Sequence, residues 1–268
     1  MGLMPQELHQ PRLFPLPKAS LARAEFLWHW PTALREPDQS ALNVGAHQCS
    51  RLNAMACDTL DVPEDREVMR TRLAESWGIT CTTDARRTAG RLMDGMHSST
   101  YEIVFPLASA IVNKTDGHTV DAHRAYLALR AYRRGESAES WLAAYDALHQ
   151  LRTVAKPHPA FTSPAWPEHI RAWDFARLPY IVRVARHLGY LDDDESWAIL
   201  HANLSAARSY YPNWRQFGQG IIVGRIYWRA LTDIADVGPW AQEVASAVNA
   251  LHVRPDSPWN RLPLHPAT

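Results

Sequence analysis

From Trp173 to Trp228 the chain runs through three successive helical patterns whose starts and stops are written in the residues, with no strand-like alternation between them. Trp173, Leu178, Ile181, Val182, Ala185 and Leu188 form an apolar stripe at helical spacing, and Gly189 predicts the stop in a left-handed conformation. Asp192, with Glu195 three residues on, reads as a capping box opening a helix that buries Trp197, Leu200 and Leu204 before Tyr211-Pro212. Asn213 then caps a helix from Trp214 to Leu231. Within it Gly220 and Gly224, four residues apart, predict a close crossing with another backbone, beside Arg225 and Trp228. Pro179 falls inside the first pattern, where it removes a backbone hydrogen bond and predicts a kink.

The rest of the chain repeats the helical period, so the fold class expected is all-α, a multi-helix domain. Pro5, Pro11, Pro15 and Pro17 predict an extended arm over residues 1–19, followed by one helical domain over 20–268 with a Pro-rich linker at 156–167. Helices are expected from Ser20 to Trp30 and from Ala41 to Leu60. A third, Glu64 to Trp77, turns Val68, Met69, Leu73 and Trp77 inward and stops at Gly78. Thr80 or Thr83 is expected to cap the next. Val120 to Arg133 is expected to bury Ala122, Tyr126, Leu129 and Tyr132, and Ser137 opens a further helix with Trp141, Tyr145, Leu148 and Leu151. Residues 101–105 fit a minor strand or, with Pro106, a kinked helix equally well.

Lys plus Arg equals Asp plus Glu at 28 each, which removes the bulk electrostatic argument for nucleic acid or an anionic membrane. No run approaches the roughly 18 apolar residues needed to span a bilayer, and the first twenty residues read as neither signal peptide nor anchor. Three cysteines, Cys49, Cys57 and Cys81, without a CxxC pair, fit reduced thiols and a cytoplasmic setting better than a disulfide framework.

No nucleophile motif, phosphate loop or credible metal set emerges, and no cofactor is expected. His118, Asp121 and His123 are the one compact metal-like cluster, but their spacing does not share a helix face, so a solvated helix start is the reading. His97, His187 and His201 fall near helix ends, where imidazole commonly meets terminal carbonyls. Cys81 beside helix-start threonines lacks a histidine to pair with. Trp28, Trp30, Trp240 and Trp259 lie outside the strong patterns and are expected to fasten the terminal segments or mark a partner surface. Asp174, Arg177, Glu195 and Arg225 are the polar set to single out. They form either a salt-bridge network holding the three last patterns in register or a pocket in which the arginines hold an anion. An inward Arg225 requires an acidic partner, for which Asp174 and Asp233 are the candidates. Trp173, Gly189, Trp197, Gly220, Gly224 and Trp228 are read as structural.

The ordered set Trp173-Asp174-x-x-Arg177, Gly189-Tyr190-Leu191 with Glu195 and Trp197, and Trp214-x-x-Phe217-Gly218 to Gly224-Arg225-x-x-Trp228 resembles the bacterial family called domain of unknown function 1266. Upstream, Leu73-x-x-Ser76-Trp77-Gly78-Ile79 and a helix ending at Gly95-Met96-His97 are similar to that family's entry segment, giving a family-like core over 73–228. Pro179 departs from the pattern. The resemblance implies an α-helical bacterial intracellular domain and no established chemistry. A binding module for a protein partner or a small anion is therefore the leading expectation, with a small toxin-like hydrolase or transferase built on the same four charges as the alternative.

Overall fold

In the computed structural model of the chain, which describes residues 26–28, 34–49, 55–113, 115, 117–154, 166–232 and 237–266, every regular element is a helix. In chain order these are α1 (Glu36–Asn43), a 3-10 turn (Ala46–Gln48), α2 (Arg66–Trp77), α3 (Thr82–Met93), α4 (Ser99–Asn113) and α5 (Val120–Arg133). There follow α6 (Ala138–Val154), α7 (Arg171–His187), α8 (Asp193–Tyr210), α9 (Trp214–Ala230), α10 (Val237–Val253) and the short α11 (Pro258–Arg261). Among the described residues extended backbone pairs only in an isolated bridge between Leu27 and Ala56. The all-α reading holds, and residues 101–105 are helical, with Pro106 inside α4.

α7 is the axis. Only Arg171, Tyr180, Arg186 and His187 escape full burial in it, because α3, α8, α9 and the 3-10 turn pack around it. α9 carries the contact outward to α10 and α6, and α6 in turn packs on α4 and α5. Pro179 sits inside α7 without ending it. Its missing N–H leaves the carbonyl of Phe175 without an intrahelical donor, and the buried amide of Asn203 on α8 donates to that oxygen at 3.0 Å. The proline ring also faces Gly45, where a β-carbon would lie 2.7 Å from the proline Cβ. Gly189 ends α7 at φ +79°, with the Tyr190 N–H donating to the Ala185 carbonyl at 2.8 Å.

Several helix readings shift. The helix expected over Ala41–Leu60 stops at Asn43, and Gly45, pressed on Pro179, begins a tighter turn that gives way to extended backbone at Cys49. Val68 is exposed rather than inward. α3 is fixed by the reverse of the expected cap: the Asp84 carboxylate reaches back to the N–H and hydroxyl of Thr80, at 3.1 and 2.9 Å. α5 has the expected span and the wrong face. His123, Leu127 and Ala131 are buried, while Tyr126, Leu129 and Tyr132 face solvent. A four-residue stride inside an Ala- and Tyr-rich helix set the true face, and His123 is accommodated there by the Tyr145 hydroxyl, 3.1 Å from its Nδ1.

α10 has no counterpart among the helices expected from the sequence, and it takes Trp240 into a helix. Trp28 and Trp259 do fasten terminal segments. The Trp28 indole donates to the Asp256 carbonyl at 3.2 Å, and that of Trp259 to the Asn43 carbonyl at 2.8 Å while stacking on Trp214. The expected arm over 1–19, Trp30, Asp233 and most of the linker lie outside the described residues, and of the helix expected from Ser20 to Trp30 the described part, 26–28, is extended and bridges Ala56 instead.

Candidate functional site

The site is built on the first two turns of α7. Asp174 is fully buried and accepts from the N–H of Ser98 at 3.0 Å, from the N–H of His97 at 3.2 Å and from Arg177 Nη2 at 2.6 Å. His97 Nδ1 lies 2.9 Å from the same carboxylate. Gly95, at φ +89°, turns the chain so that the loop after α3 presents these amides, and a side chain at this glycine would strike Arg171 and Ser98. Burial alone would raise the Asp174 pKa. The bond with His97 and the charge of Arg177 more than reverse that, and the carboxyl is held below its ordinary range.

Arg177 is spent on one edge. Its Nε donates to the Trp173 carbonyl at 3.0 Å, and its Nη2 serves Asp174 and His97. Nη1 donates to no group among the described residues. The guanidinium lies 4.3 Å from the Trp173 ring and 5.3 Å from the Trp77 ring. Burial lowers its pKa to about 10 against the pull of Asp174, so it stays charged at neutral pH.

Trp173 can lie against α9 because Gly224 has no side chain: a β-carbon there would overlap the Cβ of Trp173. Gly220 does the same for Ala172 and the Tyr211 hydroxyl, both 2.9 Å from where its β-carbon would stand. The glycine pair therefore marks the α7–α9 crossing. Arg225, next to Gly224, has its guanidinium 5.4 Å from the same Trp173 ring that lies 4.3 Å from that of Arg177.

Arg225 is half-buried and has no acidic partner among the described residues. Its guanidinium is instead boxed by the rings of Trp240, Trp228 and Trp173, at 4.4, 4.9 and 5.4 Å. The ion pair expected with Asp174 is not formed, because that carboxylate is already enclosed by Arg177, His97 and Ser98. Burial lowers the Arg225 pKa, with Glu243 opposing and Arg229 adding to the effect at longer range.

Glu195 does not join this set. It pairs with Arg86 of α3 through two bonds of 2.5 and 3.0 Å at the surface. Asp192 caps α8 by accepting from the Glu195 N–H at 2.8 Å, but the reciprocal arm of the box goes to Arg86. Trp197 packs beside His201, whose Nε2 is 2.8 Å from Asp38. The four charges singled out in the sequence thus divide three ways: Asp174 with Arg177, Arg225 in an indole box, Glu195 in a surface pair with Arg86.

Two residues absent from that set complete the cluster. His97 closes on Asp174, and His47, from the 3-10 turn, lies 6.3 Å ring to ring from Trp173. Burial and the charges of Arg177 and Arg225 lower the His47 pKa from 6.5 to about 3, so the ring is neutral at physiological pH. Its Nδ1 and the indole N–H of Trp173 are buried with no hydrogen-bond partner among the described residues. Among the described residues no three His, Cys, Asp or Glu side chains converge as metal ligands, and no helix is long and apolar enough to cross a membrane.

This all-helical frame, with its ordered Trp, Asp, Arg and Gly positions, belongs to a known family. Residues 72–264 match the model of DUF1266, described as a protein of unknown function, and the chain is a member of that family. The match runs past Trp228 through α10, the helix that supplies Trp240. The chain is 38% identical over 65 residues to Uncharacterized protein YbeR of Escherichia coli K12, covering 24% of this chain and 27% of that one. It is 24% identical over 159 residues to Uncharacterized protein YbeU of the same organism, covering 59% of this chain and 57% of the relative. It therefore spans about a quarter of the first relative's length and somewhat over half of the second's. No solved structure matches.

Proposed function

We propose that this chain is a cytoplasmic, non-catalytic binding module whose site for a small anion is the cluster of His47, Trp173, Arg177 and Arg225. The observation that carries this reading is Arg225, a half-buried guanidinium whose contacts among the described residues are indole faces. Each face contributes about 0.5–2 kcal/mol, which offsets desolvation in part and leaves the guanidinium N–H groups without acceptors among the described residues. The unused Nη1 of Arg177, the unpaired Trp173 N–H and the neutral His47 supply further hydrogen-bonding groups around the same ring. The Trp173 N–H is buried without a partner among the described residues, which is uncommon in finished cores. A compact oxyanion such as phosphate or a carboxylate satisfies these groups together.

The alternative of an enzyme on the same charges has less to stand on. Asp174 has its oxygens committed to internal donors, and Glu195 belongs to an exposed ion pair with Arg86. Calorimetric titration of the purified chain with inorganic phosphate and with acetate tests the proposal. Saturable binding that R225Q abolishes, with an unchanged unfolding midpoint, is the expected outcome. Absence of heat with both anions, or equal binding by R225Q, refutes it.

A further inference from the structure

Residues 55–64 form no helix, yet side chains from two helices fasten them. Arg183 Nη2 of α7 donates to the Asp61 carbonyl at 2.9 Å, and Arg186 Nη1 of the same helix to the Asp61 carboxylate at 3.0 Å. Gln39 of α1 donates to the Cys57 carbonyl at 2.9 Å. The segment held in this way supplies Met55, Val62 and Glu64 to the lining of a cavity of about 410 Å³. α2 supplies Met69 and Arg72, three residues apart and so on one helix face. Tyr180 of α7 and Gln48 of the 3-10 turn complete the wall. The volume falls within the range of roughly 300–1,000 Å³ that small-molecule pockets occupy.

We propose that this cavity binds a free α-amino acid with an apolar side chain. Its lining divides by burial into two parts of different chemistry. Met69, Met55 and Val62, at 1, 3 and 6% exposed, are the buried apolar part. The Arg72 and Glu64 side chains, at 48 and 30%, are the part open to solvent. These two charges are in contact, Arg72 Nη1 lying 3.0 Å from Glu64 Oε2.

The pairing of those charges selects the ligand. A simple carboxylate is drawn to Arg72 and repelled by Glu64, and a simple amine meets the reverse, so neither gains much. A zwitterion gains from both. Its ammonium donates to Glu64, and its carboxylate accepts from Arg72, whose guanidinium carries more N–H donors than Glu64 and Tyr180 take up. In an α-amino acid the two ionic groups share one carbon, so a single pair of side chains in contact reaches both. The apolar side chain is then left for the methionines and Val62, and thioethers adapt readily to a branched or linear aliphatic group. This proposal is independent of the anion site, since His47, Trp173, Arg177 and Arg225 are not among the lining residues.

The test is methyl NMR of the full chain labelled at its methionines and titrated with L-leucine, with Met55 and Met69 assigned by M55L and M69L. Expected is a saturable movement of those two resonances, while acetate, which has neither ammonium nor apolar body, leaves them in place. N-acetyl-L-leucine, whose ammonium is gone, is expected to bind at least about tenfold more weakly than leucine. E64Q is expected to weaken leucine binding by a similar factor. Absence of movement of both methyls at the solubility limit of leucine overturns the proposal, as does leucine binding that E64Q leaves unchanged. So does an equal response to leucine and N-acetyl-leucine in the wild-type chain, a comparison that needs no variant to fold.

Discussion

The Asn203 side chain donates to the Phe175 carbonyl, the one acceptor in α7 that Pro179 leaves without its backbone donor. The defect and its repair lie on different helices. Pro179 gains a tight seat against Gly45, and α8 is tied to α7 at the level of the core. Asn203 is fully buried and its Oδ1 has no partner among the described residues, so the donor amide is what the residue contributes there.

N203L is therefore expected to lower stability by about 1–3 kcal/mol, the cost of leaving a buried carbonyl unpaired. In a P179A background, where the backbone N–H is restored, the same change is expected to cost less. A double-mutant cycle by urea denaturation measures the difference. Equal losses in both backgrounds would show that Asn203 does not serve that carbonyl.

Gly224 and Gly90 make opposite predictions for the same substitution. G224A places a β-carbon into Trp173 and is expected to destabilise by about 1–3 kcal/mol or more. G90A, in α3 with open space around it, is expected to be neutral or to stabilise by up to about 1 kcal/mol. Thermal or urea unfolding of the two variants, compared side by side, checks both signs.

Asp174 and Glu195 separate a buried from an exposed charge. D174N leaves Arg177 buried without its counter-charge and is expected to cost about 3–5 kcal/mol. E195Q breaks a pair whose arginine is 61% exposed and is expected to cost under about 1 kcal/mol. Similar losses for the two would contradict the assignment of Glu195 to the periphery.

The depressed pKa of His47 fixes a pH window. Between its ordinary 6.5 and about 3 the unfolded chain binds a proton that the folded chain does not, so stability declines as pH falls through that range. Asp174, held below its ordinary range, keeps its contribution until lower pH and loses it as pH falls through its folded value. H47Q is expected to flatten the stability profile between pH 6 and 4 by about one proton's worth. Phosphate bound beside the ring is expected to raise the His47 pKa, which an NMR titration of the imidazole reads directly.

How legible this was in the sequence depended on distance along the chain. The ends of α7, α8 and α9 are set by local signals, Gly189, Asp192 and Asn213, and were readable. The close crossing followed from Gly220 and Gly224 because a missing side chain has meaning wherever it lands. The partners of the charged residues were not readable. His97 is 77 residues from Asp174, and Arg86 is 109 from Glu195. Arg225 is expected to need a carboxylate because an unpaired buried charge is costly, and that rule overlooks tryptophans from three helices, one of which carries no strong signal of its own. His47 was hidden for a related reason: the helix expected over its segment ends early, where Gly45 meets Pro179.

The most direct measurement is the indole N–H spectrum of the chain, with the Trp173 resonance assigned by W173F, recorded as pyrophosphate or phosphate is added. If the cluster is an anion site, the Trp173 N–H resonance moves saturably, those of Trp228 and Trp240 follow, and R225Q leaves all three in place. An indole spectrum that does not change at saturating anion, or one that changes equally in R225Q, would contradict it.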